Sequence, residues 1–443
     1  MDKKHVVIVG GSAAGVEASK GARRHPLVGK VTVIRKEAKV MVPCGIPYIF
    51  GTLGAVDKNV IPDGALGDSE LIVDEATEID RGAKTVKTAG GKTIGYDKLI
   101  LCTGSRPVTP PIPGLDKDNV FAVWKDAEYL EKVEQALKAA KSVVVIGGGF
   151  IGVEFADECR KRGLEVTLVE LLPHCLALVC DETQCVSAEA ELEKAGVRVI
   201  TNDVVSSIGG NRKVEYVELR SAERIYADIV ILGIGAAPET ELAQKAGLEI
   251  GPMRGIKVDD YMRTSDPDIL AAGDCAEKYS FFTRQPVPLR LASIATREAK
   301  LAVMNLFEEK VKNVGPMGVF ATALGDTAVS VAGLTEKAAT DAGFEYVVGE
   351  AGAVDKHPGG MPNAKEMKIK LLFDKKTGKM IGGQACGGVS TGEMANVMAA
   401  LIASGMTADQ VAVFQMGTHP ALTASPIVYQ LVNAADQALA KLS

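Results

Sequence analysis

An excess of positive charge is missing from this 443-residue chain: 50 Lys and Arg stand against 56 Asp and Glu, a formal net charge of -6. No Lys/Arg block and no interleaving of basic with aromatic residues occurs. That removes the electrostatic footprint of a nucleic-acid or polyanion binder. Long apolar runs are missing too. The longest, such as VVVIGGGFIGVEFA, are broken by glycine and charged at their edges, so no membrane-spanning helix is expected. The N-terminal MDKKHVVIVG enters a strand pattern without a signal-peptide core or cleavage site, and the expected location is the cytoplasm. The eight cysteines, at 44, 102, 159, 175, 180, 185, 275 and 386, form no CxxC pair, which speaks against a zinc site, and no metal is expected. Cys175, Cys180 and Cys185, spaced by fives, read as packing thiols.

What is present is an ordinary globular composition, 47% hydrophobic and 24% charged, with length for about three domains. The most informative feature occurs twice. KHVVIVGGSAAGVEASKGARR and KSVVVIGGGFIGVEFADECRKRG each give an apolar strand, a Gly-rich turn and a helix, followed by a second β-branched strand, VTVIRK or VTLVE. These are two βαβ units. Their glycines serve the tight turn, the approach of backbone to a pyrophosphate, and close packing of helix on strand. The first turn reads Gly10, Gly11, Ser12, Ala13, Ala14, Gly15, with serine at the usual middle glycine; the second is intact at Gly147, Gly149 and Gly152.

The strand after the second turn ends in Glu170, placed to accept a hydrogen bond from a ribose 2′-hydroxyl and to repel a 2′-phosphate, which favours NAD over NADP. After the first turn the equivalent strand ends in Arg35, with Glu37 two residues on. Either Glu37 reaches a ribose, or Arg35 stacks or binds phosphate. YDKLILCTGSRPVTPPIPG is a strand, a Thr-Gly turn and a proline-rich exit that marks a boundary near Gly114. TSDPDILAAGDCAE sets Asp274 at the carboxyl end of a buried strand, where ligands of α/β sheets gather. Beyond residue 316 the pattern becomes α+β, with the strand MKIKLLFD and helices near 391–405 and 426–441.

One further stretch carries chemistry. VPCGIPY sets Cys44 between Pro43 and Pro47, residues that favour a helix start. It reads as a loop delivering a thiol to the N-terminus of a helix beginning near Gly45, which would favour the thiolate.

In their order, these motifs resemble the FAD-dependent pyridine nucleotide-disulfide oxidoreductases over nearly the whole chain. CGIPY is similar to their branch with a single redox-active cysteine, which includes coenzyme A-disulfide reductases, persulfide reductases, NADH oxidases and NADH peroxidases. Two-cysteine members space their pair five apart, but Lys39 and Ile49 occupy those positions here. The resemblance implies an α/β fold with two Rossmann-like domains and a C-terminal α+β dimerisation domain. Its implied ranges are 1–113 with 253–315 for FAD, 114–252 for NAD and 316–443 for the homodimer. FAD would lie on Gly10, Ser12, Ala13, Ala14, Gly15, Arg35 or Glu37, Thr103, Gly104, Gly273 and Asp274. NADH, in preference to NADPH, would lie on Gly147, Gly149, Phe150, Ile151, Gly152, Glu154, Glu170 and Gly235, with Phe150 as an aromatic gate. The implied substrate is a small disulfide, persulfide or polysulfide, with oxygen or peroxide as a rival acceptor and a redox-sensing role with a protein partner as another.

The departures matter to that choice. Ala13 replaces a histidine that peroxidase and oxidase relatives often carry. Val40, Met41 and Pro43 replace the Ser-Phe and Asn usual in coenzyme A-disulfide reductases, and His357 replaces a tyrosine. Arg23 and Arg24 remain for coenzyme A phosphates, with His357 near the substrate. THPALT resembles the His-Pro segment of two-cysteine members, which makes His419 the implied acid-base, with Ala424 where a glutamate follows there.

Overall fold

A computed structural model describes residues 3–442. The chain forms two compact units: one of residues up to Pro110, Ala122–Ala139 and Gly235–Pro316, the other of Pro111–Phe121, Ala140–Ile234 and everything from Met317 on. Against the ranges expected from sequence, residues 122–139 and 235–252 go with the first unit. Backbone pairing explains both. Asp126 bridges to Val40, and strand Ala236–Pro238 pairs antiparallel with Ser105–Pro107.

The first unit is built on a five-stranded parallel sheet in the order Ile269–Ala271, Lys98–Leu101, Lys4–Val9, Val28–Arg35, Glu70–Val73. Its central strand is apolar on both faces, with Val6, Val7 and Ile8 fully buried, as a strand covered on both sides requires. Helix Ala13–Arg24 buries Ala14, Gly15, Ala18, Ser19 and Ala22, and this small-residue stripe packs on helix Ala292–Met304.

The second unit repeats the plan. Its sheet runs Val120–Ala122, Ile229–Leu232, Ser142–Ile146, Glu165–Val169, Val197–Ile200, with helix Phe150–Lys161 following the central strand. A separate antiparallel sheet, Val319–Leu324, Thr327–Gly333, Met380–Gly387, Glu366–Asp374, Tyr346–Val354, carries helices Thr391–Ala403 and Gln430–Leu442. The architecture is two Rossmann-like domains with a C-terminal α+β domain. No helix among the described residues is long and apolar enough to cross a membrane.

Candidate active site

The two Gly-rich turns share one backbone. Gly10 and Gly147 take φ of +115° and +102°, and each donates its N–H at 2.8 Å to the end of the neighbouring strand, Ile34 or Val169. A Cβ on Gly15 would stand 1.9 Å from the Gly10 carbonyl oxygen, and one on Gly152 would stand 1.8 Å from that of Gly147. Only glycine fits where each helix starts against its turn. Neither helix has an acid in its first turn or a side-chain cap, and both have basic residues in the last turn. The free N–H groups and positive dipole end are left for an anion such as a pyrophosphate.

Around the first turn, Ser12 is the N-cap and Ala13 and Ala14 open the helix. The Arg35 side chain is 1% exposed and lies under Gly11, where a Cβ would come within 2.5 Å of its Cδ. Its guanidinium donates to the carbonyls of Glu37 (2.9 Å) and Ala38 (3.1 Å) and to Asp63 (2.6 Å). Arg35 therefore shapes the loop that carries half-buried Glu37. Thr103 Oγ1 donates to the Glu239 carbonyl at 2.6 Å, and Gly104 and Gly235 both take positive φ. Gly273 packs against Ala14 and Ala295, and Asp274 accepts from Ser105 Oγ (2.7 Å) and Lys125 Nζ (3.3 Å). Behind this turn Lys278 pairs with fully buried Glu298 at 2.8 Å, and Glu298 also accepts the Gly273 N–H. A glycine cradle that a Cβ would fill, a helix N-terminus and a rigidly held Asp274 together fit a dinucleotide flavin.

At the second turn, Gly149 is the N-cap, Phe150 and Ile151 begin the helix, and the Phe150 ring stacks on Phe320 with centroids 5.1 Å apart. Glu154, one turn on, accepts a hydrogen bond from Thr322 at 2.9 Å. Burial first, and then the Glu158 and Asp157 charges, push its carboxyl up to about 7 against the Thr322 bond that lowers it. Glu170 accepts the Gly148 N–H at 2.5 Å and the Leu172 N–H at 2.7 Å, so its carboxylate is aimed at the turn.

Cys44 departs from the expected helix start. It lies in a 3-10 turn, Pro43–Gly45, followed by a second, Pro47–Phe50. An α-helix running on from Pro43 would need Pro47 to donate to it, and proline has no N–H. The chain closes instead with Gly45 N–H to Val42 and Ile46 N–H to Pro43. The turn is stapled by Asn59, unnoticed in the sequence because no local pattern marks it. Asn59 Nδ2 donates to the Val42 carbonyl at 3.0 Å, and its Oδ1 would stand 2.0 Å from a Cβ on Gly45. All eight cysteines are thiols, and Cys44 alone is exposed. Burial pushes Cys102, Cys175, Cys180, Cys185, Cys275 and Cys386 up, away from the thiolate.

The two arginines separate. Arg23 pairs with Asp68 at 2.7 Å, whereas Arg24 lines a cavity of about 380 Å³ with Glu17, His25, Lys300, Met304 and Lys310. The two His-Pro segments come together. His357 Nδ1 donates to the Thr423 carbonyl at 2.9 Å, leaving Nε2 as an acceptor, and exposed His419 accepts the Ala421 N–H on Nδ1 at 3.2 Å. In its neutral form His419 therefore carries its proton on Nε2. No cluster of metal-ligating side chains occurs among the described residues.

Comparison with known proteins defines the class. Residues 4–299 match the pyridine nucleotide-disulphide oxidoreductase family and residues 319–427 its dimerisation domain. The chain belongs to this family and is an oxidoreductase working with FAD and NADH. It is 32% identical to an NADH oxidase of Methanocaldococcus jannaschii, over 99% of both chains. It is 30% identical to an NAD(P)H coenzyme A polysulfide/persulfide reductase of Pyrococcus horikoshii, over 87% of this chain and 88% of that one. A solved NAD-dependent persulfide reductase from A. fulgidus superposes with a TM-score of 0.91 at 31% identity, over 99% of this chain and 83% of that one.

Proposed function

We propose that this protein, as a homodimer in the cytoplasm, uses NADH to reduce a low-molecular-weight disulfide, persulfide or polysulfide through Cys44. The observation that carries the reading is the exposure of Cys44 on a stapled turn while the other cysteines are withdrawn. Gly10, Gly15, Glu37 and Asp274 would hold FAD, and Gly147, Gly152 and Glu170 would hold NADH. Bound FAD supplies the transfer of an electron pair from NADH to sulfur. The Cys44 thiolate attacks one sulfur of the acceptor, a new Cys44–sulfur bond forms, and the departing thiolate takes a proton. The partner subunit's His419, protonated as the imidazolium, is the donor of that proton and is left as the neutral ring. Cleavage of the Cys44–sulfur bond by the electron pair restores the Cys44 thiolate and releases the second sulfur as a thiol or as hydrosulfide, which takes its proton from solvent.

The Arg24 cavity supports a coenzyme A-type substrate: Arg24, Lys300 and Lys310, the last paired with Glu308 at 2.6 Å, outnumber the single acid Glu17 around a space beside apolar Met304 and Val303. Phosphates seek such a cluster. Arg23, already paired with Asp68, is the supporting residue of the two.

The test is anaerobic steady-state NADH oxidation with coenzyme A disulfide, coenzyme A persulfide and polysulfide, using wild type and Cys44→Ser. Turnover with one of these that vanishes in the variant is expected. A second reading, oxygen as acceptor, draws on the full-length likeness to an NADH oxidase. Turnover confined to aerated buffer would select it.

A further inference from the structure

The middle residue of the second turn is gripped from both sides. Gly148 gives its N–H to Glu170 and its carbonyl to the Leu176 N–H at 2.8 Å. A Cβ on Gly148 would stand 2.8 Å from Cys175 Sγ and 3.1 Å from Glu170, so residues 170–176 wall the turn. That segment is not relaxed, because Leu176 sits at φ +61°, a left-handed conformation that a leucine adopts only when held.

What holds it is helix Glu182–Lys194. Glu189 on this helix accepts the Cys175 N–H at 2.7 Å with one carboxylate oxygen and faces His174 Nδ1 at 3.1 Å with the other. The helix is in turn pinned at its start. Asp181, its N-cap, exchanges two hydrogen bonds with buried Gln384, pairs with Lys370 at 3.0 Å, and accepts the Glu336 N–H. A continuous set of contacts thus runs from the antiparallel sheet, through Asp181 and Glu189, to the backbone of Gly148.

We propose that Glu189 is a positioning residue for the nicotinamide dinucleotide: it holds residues 174–176 against Gly148, fixes the aim of Glu170, and so sets the discrimination between NADH and NADPH. This rests on the reading of Gly147–Gly152 as the NADH turn. Glu189 acts through Cys175 and His174, the groups its carboxylate meets. With Glu189 gone, the segment relaxes and the Glu170 carboxylate loses its fixed direction. It then bonds a ribose 2′-hydroxyl less well and repels a 2′-phosphate less sharply.

The experiment is fluorescence titration of the FAD-loaded protein with NADH and, separately, NADPH, in wild type, Glu189→Ala, Glu189→Asp and Glu189→Gln. Glu189→Ala is expected to weaken NADH binding about tenfold, the scale of one lost charge-assisted bond, with NADPH weakened by less. The NADH-to-NADPH preference therefore falls. Glu189→Gln, which keeps an acceptor for Cys175, stays close to wild type, and Glu189→Asp, a milder change should the alanine form not fold, shifts the preference the same way. Equal weakening of both nucleotides, or no change in either, overturns the proposal, since structural damage alone would not alter the ratio. Failure of wild type to bind NADH would sink the assignment of the turn, and the proposal with it.

Discussion

The two Gly-rich turns have the same backbone and opposite floors. Beneath the first lies a buried arginine whose guanidinium is consumed by carbonyls; beneath the second lies a glutamate whose carboxylate takes the N–H of Gly148. The difference teaches that the glycine cradle and the end of the strand that follows are separable parts. The cradle depends on glycine and a helix N-terminus, which recur, while the strand end carries one side chain, which does not. The helices diverge in the same manner. Glu17 and Glu154 each stand two residues after the close-packing glycine, yet Glu17 meets Lys20 and Lys300 at the surface and Glu154 meets Thr322.

The largest expected effect comes from filling either cradle. Gly152→Ala drives a methyl into the Gly147 carbonyl and is expected to weaken NADH binding by roughly 100-fold while the protein stays yellow. Gly15→Ala should do the converse and yield colourless protein, as flavin absorbance on purification will report. If both variants lost the same ligand, the assignment of the turns would fail.

Exchange of the floors is next. Glu170→Ala should narrow the NADH preference over NADPH by roughly tenfold, read from kcat/KM with each nucleotide. Arg35→Met should leave that preference unmoved but lower stability by about 1–3 kcal/mol, because the Glu37 and Ala38 carbonyls lose their donor, measured by thermal unfolding.

The smallest effect concerns pH. The Glu154 carboxyl is raised by burial to about 7, so its neutral form is favoured in the folded protein. Its contribution to stability is fully present below the ordinary carboxylate pKa and is lost as pH rises through 7. Glu154→Gln should therefore flatten the dependence of the melting temperature between pH 5 and 8, with the gain over wild type at the alkaline end. A wild-type slope retained in the variant would assign the titration to another group.

The repeated βαβ units, the strands on which they stand and the α+β character of the C-terminal region were legible because each rests on local pattern: glycine spacing, apolar alternation, turn residues. The place of Glu170 at the end of its strand, beside the Gly-rich turn, was legible for the same reason. The return of residues 122–139 to the first unit was not, since it depends on Asp126 bridging to Val40, a pairing with no local signature. Asn59 escaped notice on the same ground. At Cys44 two prolines suggested a helix start, but the chain forms two successive 3-10 turns there. The burial of Arg35 and its bonds to the Glu37 and Ala38 carbonyls had no local signature in the sequence either.

The central claim is that Cys44 is the sulfur through which electrons leave the protein. The direct test is to mix the FAD-loaded protein with the sulfur acceptor anaerobically, quench in acid, and locate added mass by peptide mass spectrometry before and after NADH. Added mass on the Cys44 peptide alone, removed by NADH, is the result expected. Mass on another cysteine, or on Cys44 but indifferent to NADH, would contradict it.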